Sequence, residues 1–334
     1  MKALVVGGGS IGTRHLHNLK SLGINHLALV EPDTQRHKVL RQEMGLDGFS
    51  RLDQALDWNP DFAIIASPTH LHAEQALEVA RRGCHLFIEK PLSHTSERLQ
   101  ELAAEIEHRS LVSLVGCNMR FHPGPAKVKE LLEREAVGRL LFARVHTGSY
   151  LPGWRPRQDY RRSYSANAAM GGGCLLDCIH EIDLTCWYVG KVEEVFCVAR
   201  HLSSLEMDVE DVAALICKHT SGTVSEIHLD YVQRTYERGC QIVGEQGSIF
   251  WNYNEGTVRW FDAGQNSWQT FAQPEGWQAN AMYIDELEHF IECVRTGRQT
   301  TLPVSGAIKV MRVVFAAKAS ADSGCLVRVE EVLS

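Results

Sequence analysis

The chain has 334 residues, and its 34 Lys+Arg against 41 Asp+Glu leave a net charge of −7, with 44% apolar and 22% charged residues. At about 100–200 residues per domain this predicts two domains, each able to bury its own core. The composition excludes a disordered chain, which needs low hydrophobicity, and a dedicated nucleic-acid binder, which needs a basic stripe. No apolar run reaches the roughly 18–20 residues that span a bilayer, and the short run Ala3–Val6 before Gly7 is too brief for a secretory signal. A cytoplasmic protein with no membrane or nucleic-acid partner is expected.

The N-terminal third alternates. Apolar runs at Lys2–Val6, His26–Val30, Phe62–Ala66, His85–Ile88 and Leu111–Gly116 predict strands. Helix-period segments lie between them at about Ser10–Leu22, Thr34–Met44, Leu71–Arg82 and Ser96–His108. Such alternation predicts a parallel sheet covered by helices on both faces, whose core strands are continuously apolar, as Ala63-Ile64-Ile65-Ala66 is. After about residue 122 the pattern changes. A helix at Pro125–Glu135 leads into a strand at Leu140–Gly148, a polar aromatic stretch from Tyr150 to Ser165, and Gly171-Gly172-Gly173 opening a helix to about Val189. Strands follow at Val192–Arg200, Val212–His219, Thr223–Tyr231, Gly239–Gly244, Ser248–Asn252 and Thr257–Asp262, several alternating polar with apolar, as a mostly antiparallel sheet with one wetter face would. Helices at Ala281–Arg295 and Ser305–Ser320 close the chain. The expected fold is α/β: a dinucleotide-binding domain over 1–121 and an α+β domain with a large open sheet over 122–304.

The ten cysteines are scattered, without a CxxC pair. They read as small core hydrophobes in a reducing compartment rather than as a zinc site or a disulfide framework, and no metal is expected.

Four motifs carry chemistry. Gly7-Gly8-Gly9-Ser10-Ile11-Gly12 follows the first strand and opens the first helix. Gly7 permits the tight turn, Gly9 lets a pyrophosphate approach the backbone, and Gly12 lets helix and strand pack closely. The amides of Ser10 and Ile11 lie at the helix start, where N–H groups and the dipole favour an anion. Glu31 ends the second strand, 19 residues beyond Gly12, placed to accept from ribose hydroxyls. Its charge favours NAD over NADP, while Arg36 and His37 close behind it leave NADP open. The second motif, Ser67-Pro68-Thr69-His70-Leu71-His72, sits at a strand's carboxyl end, where ligands of such sheets bind; read plainly, it is a proline turn with Thr69 as a cap. The third, Glu89-Lys90-Pro91, ends another strand, with Pro91 aiming Lys90 into the cleft; read plainly, it is two solvated charges at a strand end. In the fourth, Asp177 and His180 lie three apart and would share one helical face. A carboxylate orients an imidazole, which titrates near neutral pH, although a lone histidine on an apolar helix is more often structural.

In order and spacing these motifs, with Asn118-x-Arg120-Phe121 and Asp183, resemble the Gfo/Idh/MocA family of glucose-fructose oxidoreductase and inositol dehydrogenase, along the whole chain. The segments Tyr150–Pro156, Asp159-Tyr160-Arg161 and Ser163-Tyr164-Ser165 look like a branch linked to bacterial surface-polysaccharide sugar pathways. The resemblance implies an N-terminal Rossmann domain, a substrate domain whose open sheet mediates homodimers or homotetramers, and a last helix, about 305–320, returning to the first domain. Family members usually space the aspartate and histidine four apart, so the spacing here predicts altered substrate geometry.

The function implied is reversible hydride transfer between NAD (or NADP) and a secondary alcohol of a sugar, nucleotide-sugar or cyclitol. His180 and Lys90 would handle the hydroxyl proton and Asp177 would orient. Gly7, Gly9, Ser10, Ile11, Gly12, Glu31, Ser67, Pro68, Thr69, His72, Glu89, Lys90 and Asn118 would hold the cofactor. Arg120, Trp154, Arg155, Asp159 and Tyr164 would meet the substrate, by stacking on sugar faces or clamping acidic groups. The competing readings are an imine or enone reductase, which needs no Lys–Asp–His set, and a catalytically silent NAD sensor or assembly protein.

Overall fold

The structure is a computed structural model describing residues 1–156 and 158–333. It divides into two compact units, Met1–Asn118 with Ala279–Lys309, and Met119–Gln278 with Val310–Ser334.

The first unit runs β1 (Lys2–Val6), α1 (Ser10–Ser21), β2 (His26–Val30), α2 (Thr34–Met44), β3 (Asp47–Phe49), α3 (Leu52–Leu56), β4 (Phe62–Ile65), α4 (His72–Arg81), β5 (His85–Glu89), α5 (Leu99–His108) and β6 (Ser113–Gly116). All six strands are parallel, in the order β3-β2-β1-β4-β5-β6. Phe62 to Ile65 are completely buried, as expected of a strand covered on both faces. The order reverses between β1 and β4, and the carboxyl ends of strands at such a switch point are where open α/β sheets bind ligands.

In the second unit come α6 (Pro123–Glu133), β7 (Leu140–Gly148), α7 (Leu151–Trp154), α8 (Cys174–Asp177), α9 (Ile179–Val189), β8 (Val192–Arg200), β9 (Val212–His219), β10 (Val224–Asp230), β11 (Glu237–Gly244), β12 (Gly247–Asn252), β13 (Thr257–Asp262) and β14 (Ser267–Ala272). With β15 (Val327–Arg328) they form a nine-stranded sheet, β14-β13-β12-β11-β7-β10-β9-β8-β15. Every pairing is antiparallel except β7 with β10. On one face Val145, Val195, Leu215, Ile227 and Ile242 are fully buried, and α9 packs on β7 and β10. The expected architecture is therefore present, with short β3 and edge strands β14 and β15 in addition.

The return to the first unit differs from expectation. It is made by residues 279–309, which hold α10 (Asn280–Thr296), whereas α11 (Val304–Ser323) groups with the second unit from Val310 onward. The first division falls after Asn118 rather than after residue 121. The reason is packing: Phe290 of α10 meets Phe62 and Phe87 edge-on at 5.4 and 5.7 Å. Asn280 also donates to Asn18 of α1 at 2.9 Å, and Val115 of β6 donates to the Leu302 carbonyl at 2.9 Å. Both closing helices have apolar faces, and periodicity does not say which sheet a helix will cover.

Candidate active site

In the glycine turn, Gly7 has φ +103°, a conformation that glycine adopts without strain. A Cβ on Gly12 would stand 1.9 Å from the Gly7 carbonyl, so any side chain there would force α1 off the turn. A Cβ on Gly9 would meet nothing within 4 Å, so the backbone there is open on the side a phosphate would approach. No side chain caps α1, which leaves the amides of its first turn to an anion. At the end of β2, Glu31 is 4% exposed; it accepts from the Gly8 amide at 2.8 Å and the Asp33 amide at 2.9 Å, and Arg36 lies 3.6 Å away. This turn is a cradle for a pyrophosphate with an anionic acceptor at its far side, and it fits a dinucleotide.

The loops after β4 and β5 are tied together by His72. Its ring nitrogens lie 2.8 Å from the Ser67 carbonyl and 2.9 Å from the Pro91 carbonyl. Two acceptors would call for a doubly protonated ring, but complete burial pushes the imidazole down from its ordinary range more than the carbonyls raise it. A neutral ring therefore donates to one carbonyl and abuts the other. Ser67 donates to Gln75 at 2.6 Å, and Thr69 is buried. Glu89 ends β5 almost fully buried, its Oε1 2.6 Å from Nε2 of buried His15. Lys90 follows, half-buried, and Pro91 is joined to it by a cis peptide. Asn118 is buried near Tyr283 of α10, beside which Glu89 and Lys90 also lie.

In the second unit Asp177 and His180 do not share a continuous helix. α8 ends at Asp177, Cys178 turns with φ −90° and ψ 32°, and α9 begins at Ile179. Hydrogen bonds, rather than a shared helical face, therefore fix Asp177. Asp177 accepts from the Tyr164 hydroxyl at 2.9 Å, Ser165 at 2.7 Å and the Tyr231 hydroxyl at 3.3 Å. Burial, with the Asp177 charge added, pushes the Tyr231 phenol well above its ordinary range, so it stays a donor. Three hydroxyl donors favour the charged form of a carboxylate and fix its direction. His180 stands next on the chain at the start of α9, 8% exposed. The three glycines serve this packing. A Cβ on Gly172 would lie 2.4 Å from the Tyr164 carbonyl, and one on Gly173, at φ +102°, would strike the Glu210 carboxylate. Burial pushes the Cys174 thiol far up, which removes it as a nucleophile.

Comparison with known proteins follows the same division. The model of an oxidoreductase family with an NAD-binding Rossmann fold matches residues 1–117, and that of the GFO/IDH/MocA C-terminal domain matches residues 126–250. The chain belongs to the Gfo/Idh/MocA family. Myo-inositol 2-dehydrogenase of Thermotoga maritima is 28% identical over 100% of both chains. The scyllo-inositol 2-dehydrogenase (NAD(+)) of Bacillus subtilis is 25% identical, over 99% of this chain and 96% of that one. A structure of levoglucosan dehydrogenase with NADH shares the fold, with TM-score 0.89 at 22% identity, covering 98% of this chain and 99% of the other. This Gfo/Idh/MocA member is an NAD-dependent oxidoreductase.

Against the Gfo/Idh/MocA pattern, several expected ligand contacts are engaged elsewhere. His72 is a strut between two loops, and Glu89 is bound to His15. Arg120 makes a two-point ion pair with Asp183 at 2.8 and 2.6 Å and lies over Trp187, so its charge is spent inside the unit. Asp159 is exposed and paired with Arg161. Trp154 meets Tyr231 edge-on at 5.3 Å, and Arg155 lies 5.7 Å over the Tyr164 ring. Both thus remain next to the hydroxyls that hold Asp177. Sequence reasoning missed Ser165, Tyr231 and His15. A signal existed for His15: it falls on the buried stripe Gly12-His15-Leu16-Leu19 of α1, and an acid ending a buried strand demands a partner.

Proposed function

We propose that the chain is a sugar or cyclitol dehydrogenase, moving a hydride between NAD and a ring carbon that bears a secondary hydroxyl. Bound NAD supplies the hydride acceptor; the protein orients the ring and handles the proton. The observation that carries the reading is the Asp177 carboxylate, fixed by three hydroxyls beside His180, in a chain related to inositol and levoglucosan dehydrogenases. His180 takes the hydroxyl proton as general base, as an imidazole titrating near neutral pH can. Lys90 donates to the same oxygen and stabilises its developing charge. Asp177 accepts from the substrate or from the base. Trp154, Arg155 and Tyr164 contact the ring, while Arg120 and Asp159 frame the wall. Gly9, Gly12, Ser10, Ile11 and Glu31 hold the dinucleotide, with the Ser67–Thr69 and Asn118 segments beside it.

The exposed face of the nine-stranded sheet carries Phe196, Val198, Ile216 and Val224, each 38–50% exposed, on adjacent strands, which supports a homo-oligomer formed through this face. None of the ten cysteines is in a disulfide, which supports a reducing, cytoplasmic setting, and among the described residues no helix is long and apolar enough to cross a membrane.

The test is a panel of inositols, free sugars and nucleotide-sugars with NAD and NADP, reading nicotinamide fluorescence, on the wild type and on Lys90→Met and His180→Ala. Turnover of at least one ring alcohol, lowered about 100-fold or more by either substitution, is the expected result. Binding of NAD without reduction across the panel would mark a sensor. Turnover within a few-fold of wild type in both variants would remove the assigned roles.

A further inference from the structure

His15 is completely buried in the first unit, with its ring edge-on to Phe87 at 5.1 Å and its Nε2 2.6 Å from Glu89 Oε1. The strand segments Ala3–Val6, Phe62–Ile65 and Leu86–Ile88 of the same sheet are apolar and buried. An apolar pair of the same size would cost less there, since a buried polar pair repays its desolvation only with good geometry. The pair therefore calls for a reason beyond stability, and the residue that follows Glu89 is Lys90.

The hydrogen bonding fixes where the proton sits on the ring. His15 Nδ1 is buried with no hydrogen-bond partner among the described residues. A proton there would be an orphaned donor, which is costlier than an orphaned lone pair. The ring thus carries its proton on Nε2 and donates it to Glu89, which is the acceptor. The other titratable groups near Glu89 are His72 from α4 and Tyr283 from α10, with Lys90 next on the chain and also near Tyr283; Arg14 from α1 lies 4.4 Å over the Tyr283 ring. Burial pushes His72 down and Tyr283 up, so both stay neutral at pH 7. Two cations share the neighbourhood of Tyr283 with Glu89: Lys90, the next residue of the chain, and Arg14.

We propose that His15 is a positioning residue for the reaction: by donating to Glu89 it holds a carboxylate beside Lys90, so that Lys90 remains an ammonium able to donate to the substrate oxygen. This rests on the role given to Lys90 above. Without the donor, Glu89 lies in apolar surroundings and takes up a proton, and Lys90 then gives up its own proton at lower pH.

The test is the pH profile of kcat/KM for wild type, His15→Leu, His15→Asn, His15→Gln and Glu89→Gln, with NADH affinity of the His15 variants read by fluorescence. Glutamine places an amide nitrogen where Nε2 stands, whereas asparagine reaches only the Nδ1 position. Leucine and asparagine should lower kcat about tenfold and move the alkaline limb down by about one pH unit. Glutamine should restore both, Glu89→Gln should reproduce the shift, and NADH affinity should change less than about threefold across the His15 series. If His15→Leu does not fold, Glu89→Gln, which keeps size and hydrogen bond but removes charge, decides the matter. Superimposable profiles for the leucine and glutamine variants, or an unmoved limb in Glu89→Gln, would overturn the proposal. An inactive Lys90→Met with an unmoved limb overturns this inference alone, whereas an active Lys90→Met overturns the Lys90 assignment with it.

Discussion

Replacing Glu31 by serine should turn the enzyme toward NADP. The Glu31 carboxylate accepts from the Gly8 and Asp33 amides at 2.8 and 2.9 Å, and the Arg36 guanidinium stands 3.6 Å from it. Serine removes the charge that repels a 2′-phosphate and the acceptor that a ribose hydroxyl would use, and it frees Arg36. A hydrogen bond to a charged group is worth about 1.5–3 kcal/mol. Arg36 is 53% exposed, so its gain on a phosphate belongs at the low end of that range. Together the lost ribose contact and the new phosphate contact amount to about 3–4 kcal/mol, or a change of about 10²–10³ in the ratio of kcat/KM for NADP over NAD. The assay is that ratio in wild type, Glu31→Ser and Glu31→Ser/Arg36→Ala, where the double variant should give back about tenfold. A single variant whose ratio stays within threefold of wild type, or a double variant that keeps the whole gain, refutes the reasoning.

Asp177→Asn keeps the shape but brings an amide donor against three hydroxyl donors; kcat should fall about 100-fold while NADH binding, measured by fluorescence titration, stays unchanged. His122 is buried, and burial, with Arg238 added, lowers its imidazole to about 4. The unfolded ring binds its proton first as pH falls below its ordinary value, so this histidine destabilises the fold progressively between about pH 6.5 and 4, by about 2 kcal/mol at pH 5. His122 also caps α6 by accepting from the Gly124 amide, a role asparagine can take. Urea unfolding should therefore show a smaller loss of stability from pH 7 to 5 in His122→Asn than in wild type; equal losses would contradict the burial argument.

Legibility from sequence followed the strength of burial. β1, β2, β7, β8 and β9 have the bounds their apolar patterns predict, because each buries one or both faces. β14, Ser267–Ala272, was not read: it is an edge strand with Gln269, Thr270 and Ala272 exposed, so little burial shaped its sequence. β3, three residues long, offers too short a window for any period. The glycine turn was legible because close approach leaves only glycine possible at Gly7 and Gly12. The setting of Asp177 was not, since Tyr231 and Ser165 reach it from segments remote in sequence, and the break at Cys178 has no proline or glycine to announce it. Charges that looked available, Arg120 and Glu89, proved to be spent on partners that only the fold brings near.

The return of α10 also bears on how the molecule is made. As the chain is synthesised, β1 to β6 emerge first, but Phe290, which closes over Phe62 and Phe87, comes far later. At about 5–20 residues per second, β7 to β14 of the second sheet are translated in the interval, over roughly ten seconds or more. During that time the nucleotide-binding sheet waits with apolar side chains uncovered, and a ribosome-bound chain stopped at Asn118 has no α10 to complete it. Birth of the two units is thus not sequential, and NAD arriving early finds its cradle on an unfinished scaffold.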